Sequence, residues 1–391
     1  MIDLTALTQA FHHHYPGIPE PPQIFFAPGR INLIGEHTDY NGGLVFPAAI
    51  TFGTYGVVSP REDGLVRLFS HNFELVGEVT LDLQAPMHKA DHEDWTVYVK
   101  GVIATLVAKG YTLTKGCDVY VQGNIPNGAG LSSSASLELL FVELLCALND
   151  HSLAPIDKAK LAQQAEHWVG VNCGIMDQFA IAMGKAGHAI QLNTGTMAYT
   201  YAPVDLGAYQ LLIMNTNKQR ELAESKYNER RQECEQALAL LDTSLPYLCS
   251  LTVDDFHNLN QGLAGSPILF RRAQHAITES HRVAQAAKVL EAGDLPAFGQ
   301  LLNDSHASLK QDYEVTGNEL DTIVALAQAQ PGVLGARMTG AGFGGCALAL
   351  VHGDQVAAVQ DAVAKAYTQA IGYAPTFYTC TLGSGVGRVC P

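Results

Sequence analysis

The segment Pro126-Asn127-Gly128-Ala129-Gly130-Leu131-Ser132-Ser133-Ser134-Ala135 constrains the fold of this chain more than any other. Upstream, Cys117-Asp118-Val119-Tyr120-Val121-Gln122 alternates apolar and polar residues, the period of a half-buried strand. Downstream, Leu137, Leu140, Phe141, Leu144, Leu145 and Leu148 recur at helical spacing and make the packed face of a buried helix. Between them, two glycines let the backbone approach a ligand, and serines stand where the helix begins. A helix start has free N–H groups and a partial positive charge, so the junction suits a phosphate. No lysine follows the glycines, which excludes a Walker loop. Taken alone, the segment is also compatible with an ordinary strand–loop–helix connection capped by serine.

A chain of 391 residues is too long for one small core and points to two domains. The formal charge of −15 argues against a nucleic-acid or acidic-membrane partner, since phosphate contacts need clustered Lys and Arg. A nucleotide remains compatible, because backbone N–H groups and a metal ion hold phosphates on an acidic protein. Apolar runs are too short to span a bilayer, and Met1-Ile2-Asp3-Leu4 lacks the pattern of a secretion signal. The eight cysteines are scattered with no C-x-x-C pair, as expected of reduced thiols in the cytoplasm rather than a disulfide framework or zinc site. His12-His13-His14 falls within a first helix, where three adjacent residues cannot face one ion, and reads as surface.

In chain order, Gln23 to Ala27 reads as a strand stopped by Pro28-Gly29. Next, Arg30-Ile31-Asn32-Leu33-Ile34-Gly35-Glu36-His37-Thr38-Asp39 interleaves a cation, two carboxylates and an imidazole with apolar residues, unlike a plain solvated face. Carboxylates accept sugar hydroxyls, and arginine supplies a permanent charge near a phosphate. Thr51 to Leu83 is β-rich, and Trp95 to Ala108 and Pro155 to Val169 are helical, with Glu166 near the end of the latter. In Val171-Asn172-Cys173-Gly174-Ile175-Met176-Asp177-Gln178-Phe179 a single acid sits among uncharged residues, and must be paired, capping or functional. A domain boundary is expected near residue 205. Beyond it come a buried strand at Leu211 to Met214 and helices at Lys226–Leu241, Pro267–Leu290, Leu295–Leu302 and Glu319–Ala329. The G-x-G-x-x-G of Gly340 to Gly345 is followed by the strand-like Cys346 to Val351, not a helix, so a dinucleotide fingerprint fails on context.

Together, Gly29–Asp39, Pro126–Ala135, Cys173–Gln178 and Arg337–Cys346 resemble the motifs of the galactokinases, in the GHMP superfamily of sugar and metabolite kinases. The second and fourth occur across the superfamily; the first, with its Gly-Glu-His-Thr-Asp-Tyr core, is the more specific. The resemblance implies an α+β fold with a ribosomal-protein-like N-terminal domain (1–205), carrying the sugar-binding and phosphate loops. A ferredoxin-like C-terminal GHMP kinase domain (206–391) would pack against it, with the active site in the cleft. It also implies ATP-dependent phosphorylation of α-D-galactose at its 1-hydroxyl, the entry step of the Leloir pathway, with Mg²⁺ as cofactor and no protein partner.

Residue by residue, the resemblance implies Asp177 as catalytic base and Arg30 as the charge beside it. It implies galactose contacts at Glu36, His37, Thr38, Asp39 and Tyr227. The ATP phosphates would lie on Gly128, Ala129, Gly130, Leu131, Ser132, Ser133 and Ser134, and the metal on Ser134 and Glu166. Three departures bear on this. The interval from Glu166 to Asp177 is one residue shorter than the family pattern. A deletion within a helix would rotate Glu166 by about 100°. Asn193-Thr194-Gly195 replaces an Asp-Cys-Arg, and Ala341 replaces a glycine, which is conservative only at negative φ. An N-acetylgalactosamine kinase would share every motif. A non-catalytic galactose- and ATP-binding regulator stays open too, although the intact Ser134-Ala135 counts against it.

Overall fold

In a computed structural model of the chain, the described residues are 2–18, 21–90, 92–126, 130–218, 223–241 and 244–389. The chain opens with α1 (Leu4–His14), β1 (Gln23–Asn32), β2 (Leu44–Val45), β3 (Pro47–Arg61), β4 (Leu65–Ser70) and β5 (Val79–Asp82). Then follow α2 (Thr96–Ala108), β6 (Gly116–Gly123), α3 (Ser133–Leu148), α4 (Pro155–Val169), α5 (Met176–Ala182), β7 (His188–Asn193) and β8 (Tyr199–Pro203). The second half holds β9 (Tyr209–Asn215), α6 (Ala223–Leu240), α7 (Val253–Leu259), α8 (Pro267–Glu291), α9 (Leu295–Ser308) and α10 (Gly317–Gln328). It ends with β10 (Val333–Thr339), β11 (Cys346–His352), α11 (Val356–Ile371), β12 (Thr376–Thr379) and β13 (Gly387–Val389). No helix among the described residues is long and apolar enough to cross a membrane.

The first half is built on a six-stranded sheet in the order β13-β1-β3-β6-β4-β5, in which only β4 and β6 pair in parallel. Its edge strand β13, the last in sequence, returns from the far end of the chain to pair with β1 through Ile24–Val389. The second half carries an antiparallel sheet in the order β10-β11-β9-β12, with β2, β7 and β8 forming a small third sheet. The expected face of α3 is entirely buried, packed on β1, β3, α2 and α4. Between the halves, Ile31, Leu33 and Leu131 share one apolar cluster with Leu211, Ile213, Val283 and Leu348. That shared core fixes the two halves against each other, so the cleft between them has a defined width.

Three local expectations need correction. Pro28-Gly29 does not stop the first strand: β1 runs on to Asn32, with a register shift between Pro28 and Arg30. The bulge has a packing cause, since a Cβ on Gly29 would lie 2.7 Å from the Leu131 carbonyl oxygen. A bulge bends the strand and re-aims the next side chain, here Arg30. The start of α3 is not serine-capped either. Ser132 precedes it at φ 63° with no capping hydrogen bond. Finally, His14 is not plain surface: it stacks on Phe69 with ring centroids 3.8 Å apart, while His12 and His13 are exposed.

Candidate active site

The sequence-separated motifs converge on one cleft. A cavity of about 200 Å³ is lined by Arg30, Glu36, His37, Asp39, Glu166 and Asp177, with Cys173, Gly174, Tyr227 and Ala341 among the others. Asp177 sits in the first turn of α5, and its carboxylate turns to Arg30 instead of capping the helix. Arg30 Nε donates to Oδ1 at 2.8 Å and Nη2 to Oδ2 at 2.7 Å, a bidentate fork. Ser132 Oγ donates to the same carboxylate, and Arg30 Nη1 donates to the Gly130 carbonyl at 2.8 Å. Arg30 thus ties the acid to the glycine–serine loop, and a bidentate guanidinium sets the direction of both.

Glu166 points into the site. Its Oε1 accepts from Ser134 Oγ at 2.9 Å, and Oε2 accepts from the Cys173 thiol and the Gln178 amide. Glu166 lies in the last turn of α4, which ends at Gly170 (φ 114°), and its carboxylate faces the cleft. Burial, reinforced by the negative charge of Asp177, pushes Glu166 up to about 7. Its hydrogen-bond partners are all neutral, so a cation would relieve a buried acid. One carboxylate and one hydroxyl form a hard oxygen pair that fits a magnesium ion completed by phosphate oxygens and water. Among the described residues no cluster of three or more His, Cys, Asp or Glu offers a self-sufficient metal site. One turn along α3, Glu138 is buried with neither carboxylate oxygen partnered among the described residues. Burial first, then the neighbouring charge of Glu166, pushes it well above the ordinary carboxylate range.

The loop after β1 supplies the opposite wall. Glu36 is buried and accepts four hydrogen bonds, from Arg337 Nη2 and Asn32 Nδ2 (both 2.6 Å), the Gly340 N–H (2.8 Å) and Thr339 Oγ1 (3.2 Å). Burial raises its pKa, and the Arg337 guanidinium pulls the other way. His37 adopts φ 64°, a left-handed conformation rare for a non-glycine residue. Asp39 packs so tightly on Gly174 that a Cβ there would lie 1.8 Å from Oδ2. Burial first, then the charge of Asp177, raises Asp39 to about 6. Thr38 is the correction in this group: fully buried, its hydroxyl donates to the carbonyls of Gly35 (2.9 Å) and Leu44 (2.7 Å). It closes the loop and does not reach the cavity. Tyr227, from α6, lies on the far side, its ring 5.5 Å from that of His37.

Gly128 and Ala129 lie outside the described residues. Gly130, Leu131 and Ser132 lead into α3, which begins at Ser133 and Ser134, with the Leu131 side chain in the shared core. Ser133 and Ser134 also line a second cavity with Asn72, Phe73, Trp95 and Tyr98. There the Trp95 indole N–H is buried with no partner among the described residues. This aromatic pocket went unread in the sequence, because its residues come from five separate segments. Two of the departures from the family pattern also find their place. Thr194 Oγ1 donates to the Asp39 carbonyl at 2.7 Å, so the departure at Asn193-Thr194-Gly195 tethers the loop of Asp39. Ala341 needs no glycine, since positive φ falls on Gly340, Gly342, Phe343, Gly344 and Gly345 around it.

Known proteins with this geometry agree on its family. A galactokinase galactose-binding signature matches residues 9–60, a GHMP kinase N-terminal domain 97–185 and a GHMP kinase C-terminal domain 286–369. The galactokinase of Exiguobacterium sibiricum is 54% identical over 370 residues, 93% of each chain. That of Enterococcus faecalis is 52% identical over 93% of this chain and 95% of its own. A crystal structure of Lactococcus lactis galactokinase complexed with galactose superposes with a TM-score of 0.95 at 48% identity, covering 99% of this chain and 100% of that one. Methanococcus jannaschii mevalonate kinase, 18% identical with a TM-score of 0.64, shares the fold alone. With a family-specific signature over the loop of Glu36 to Asp39 and half the residues identical along nearly the whole length, this chain belongs to the galactokinase family of the GHMP kinases.

Proposed function

We propose that this chain transfers the γ-phosphoryl group of ATP to the 1-hydroxyl of α-D-galactose, giving α-D-galactose 1-phosphate for the Leloir pathway. The observation that carries the reading is the Arg30–Asp177–Ser132 cluster, which places an acid between the start of α3 and the Glu36–Asp39 wall. Phosphoryl transfer needs positioning and charge neutralisation more than covalent chemistry. The α3 N-terminus, with Ser132 to Ser134, would hold the phosphates, and the base would enter the pocket of Trp95, Tyr98 and Phe73. The orphaned Trp95 N–H is the donor available to it. Asp39, His37, Tyr227 and the cavity edge of Glu36 would receive the sugar.

Asp177 accepts the proton of the 1-hydroxyl, and Arg30, forked onto that carboxylate, orients it while adding positive charge beside the transferring group. Ser134 and Glu166 would hold a magnesium ion, which when bound neutralises charge on the phosphate oxygens. We place the enzyme in the cytoplasm, a reading supported by the cysteines scattered along the chain with no C-x-x-C pair. The test is a coupled ADP assay. ADP release must depend on galactose and on Mg²⁺, with N-acetylgalactosamine a poor competitor. Absence of ADP from galactose and Mg·ATP would make the chain a binding protein, and preference for the acetylated sugar would reassign the substrate.

The raised pKa of Asp39 gives the sugar site a pH dependence. Below pH 6 the group is the neutral acid and above it the carboxylate that accepts sugar hydroxyls. Galactose affinity therefore holds above pH 6 and falls on acidification, by about tenfold at pH 5, where roughly a tenth of the group is ionised. Calorimetric titration without nucleotide reads this directly, and Asp39→Asn should flatten the profile. Equal affinity at pH 7 and pH 5 in the parent protein would remove Asp39 from the sugar site.

A further inference from the structure

Behind the sugar wall lies a buried chain of hydrogen bonds that the phosphoryl transfer itself does not use. His37 Nε2 is 3.2 Å from the Ala341 carbonyl oxygen, and His37 Nδ1 is 2.8 Å from Tyr40 Oη. Tyr40 Oη is in turn 2.8 Å from Tyr313 Oη, which is 3.0 Å from Cys234 Sγ. Asn41 Nδ2 donates both to Cys234 Sγ (3.6 Å) and back to the His37 carbonyl (2.8 Å), closing the circuit. Tyr313 reaches this point because α9 continues into a π-helical turn, Leu309–Tyr313, followed by Glu314 at φ 58°. Such turns inside helices commonly redirect one side chain at a functional site.

One end of the chain sets the direction of the rest. The Ala341 carbonyl can only accept, so Nε2 carries the proton. Burial, with His275 close by, lowers His37 to about 3, so the ring is neutral and Nδ1 is bare. Tyr40 must then donate to Nδ1, and having used its one proton it must accept from Tyr313. By the same count Tyr313 accepts from the Cys234 thiol. Burial pushes both tyrosines well above the ordinary phenol value and Cys234 up to about 11, so every member is neutral at working pH. The chain cannot reverse without leaving two bare acceptors facing each other in a dry site.

We infer that the Cys234–Tyr313–Tyr40 chain fixes His37 in its Nε2–H tautomer, so that His37 meets the bound sugar as a hydrogen-bond donor whatever replaces the Ala341 carbonyl. Tyr40 and Tyr313 are positioning residues: they act through His37 and reach no reacting atom. The inference rests on the reading of His37 as part of the sugar wall. A sugar hydroxyl both donates and accepts, so it cannot by itself choose the tautomer of a neutral imidazole. The chain makes that choice in advance, which removes one unproductive orientation of the ring and of the ligand.

Two measurements test this. Nitrogen-15 NMR of the histidine rings in the free full-length protein should give His37 as the Nε2–H form, and saturating galactose should shift its signal without changing the tautomer. Tyr40→Phe should raise KM for galactose about tenfold with kcat within about twofold, the loss of a donor to a buried acceptor. Tyr313→Phe, which leaves the Tyr40 proton in place, should raise KM less, and it keeps the test open if Tyr40→Phe does not fold. An Nδ1–H signal in the parent protein overturns the chain alone. An Nε2–H signal that galactose leaves unmoved overturns the placement of His37 at the sugar, and the inference with it. Unchanged galactose KM in both variants also overturns it.

Discussion

Asp177→Asn loses about 10²- to 10⁴-fold in kcat, the usual range for removing a general base, while galactose binding is retained. The amide keeps the shape of the carboxylate and can still accept one bond from the Arg30 fork, which now spans 2.8 and 2.7 Å contacts to the two oxygens. It cannot take a proton from the 1-hydroxyl. Its NH₂ would also face the guanidinium, so some loss of loop order through Arg30 and Gly130 is expected as well. Because the transition state of phosphoryl transfer is loose, proton removal contributes less than in acyl transfer, which places the expectation toward the lower end. Measuring kcat alongside calorimetric galactose affinity separates the two effects. Near-normal turnover would end the assignment of Asp177 as base.

Arg337→Leu should be the most destabilising single change in the cleft. The guanidinium is fully buried and reaches Glu36 at 2.6 Å, Ser305 Oγ at 3.1 Å, and the carbonyls of Asn32 (3.2 Å) and Leu33 (3.1 Å). Glu279, also fully buried, lies 3.8 Å away. One side chain from β10 thus joins β1, the sugar loop, α8 and α9. Removing it leaves the buried carboxylate of Glu36 without its cation, a loss of about 3–5 kcal/mol of stability. Chemical denaturation measures it as a fall in the midpoint. Since isosteric apolar replacement of a buried pair is often near neutral, Glu36→Met with Arg337→Leu should recover part of the stability. Sugar affinity should stay lost in the double variant, because the wall that Glu36 organises is gone. An unchanged midpoint in Arg337→Leu would refute the account.

These two residues differ in how they could be read. Asp177 was visible in the sequence as a lone acid in an uncharged stretch, a pattern that local chemistry has to explain. Arg337 was visible only as part of a glycine-rich motif. Its partner Glu36 lies 301 residues away, and no periodicity or spacing connects positions so far apart. Strand and helix positions were legible for the same reason that Asp177 was. The α3 face, β9 and β11 follow from apolar patterns within one element, where burial imposes its period.

What the sequence by itself determined is the set of elements, the helix start suited to a phosphate, and the family to which the motifs point. Short-range order suffices for these, because hydrophobic periodicity and turn chemistry act over a few residues. The tertiary structure alone decided that β1 bulges at Gly29 to aim Arg30. It also decided that Ser132 serves Asp177 rather than capping α3, and that Thr38 turns away from the cavity. The direction of the proton chain behind His37 belongs with these. Each of them depends on which distant atoms come within a hydrogen bond of each other, and only the packed core sets that.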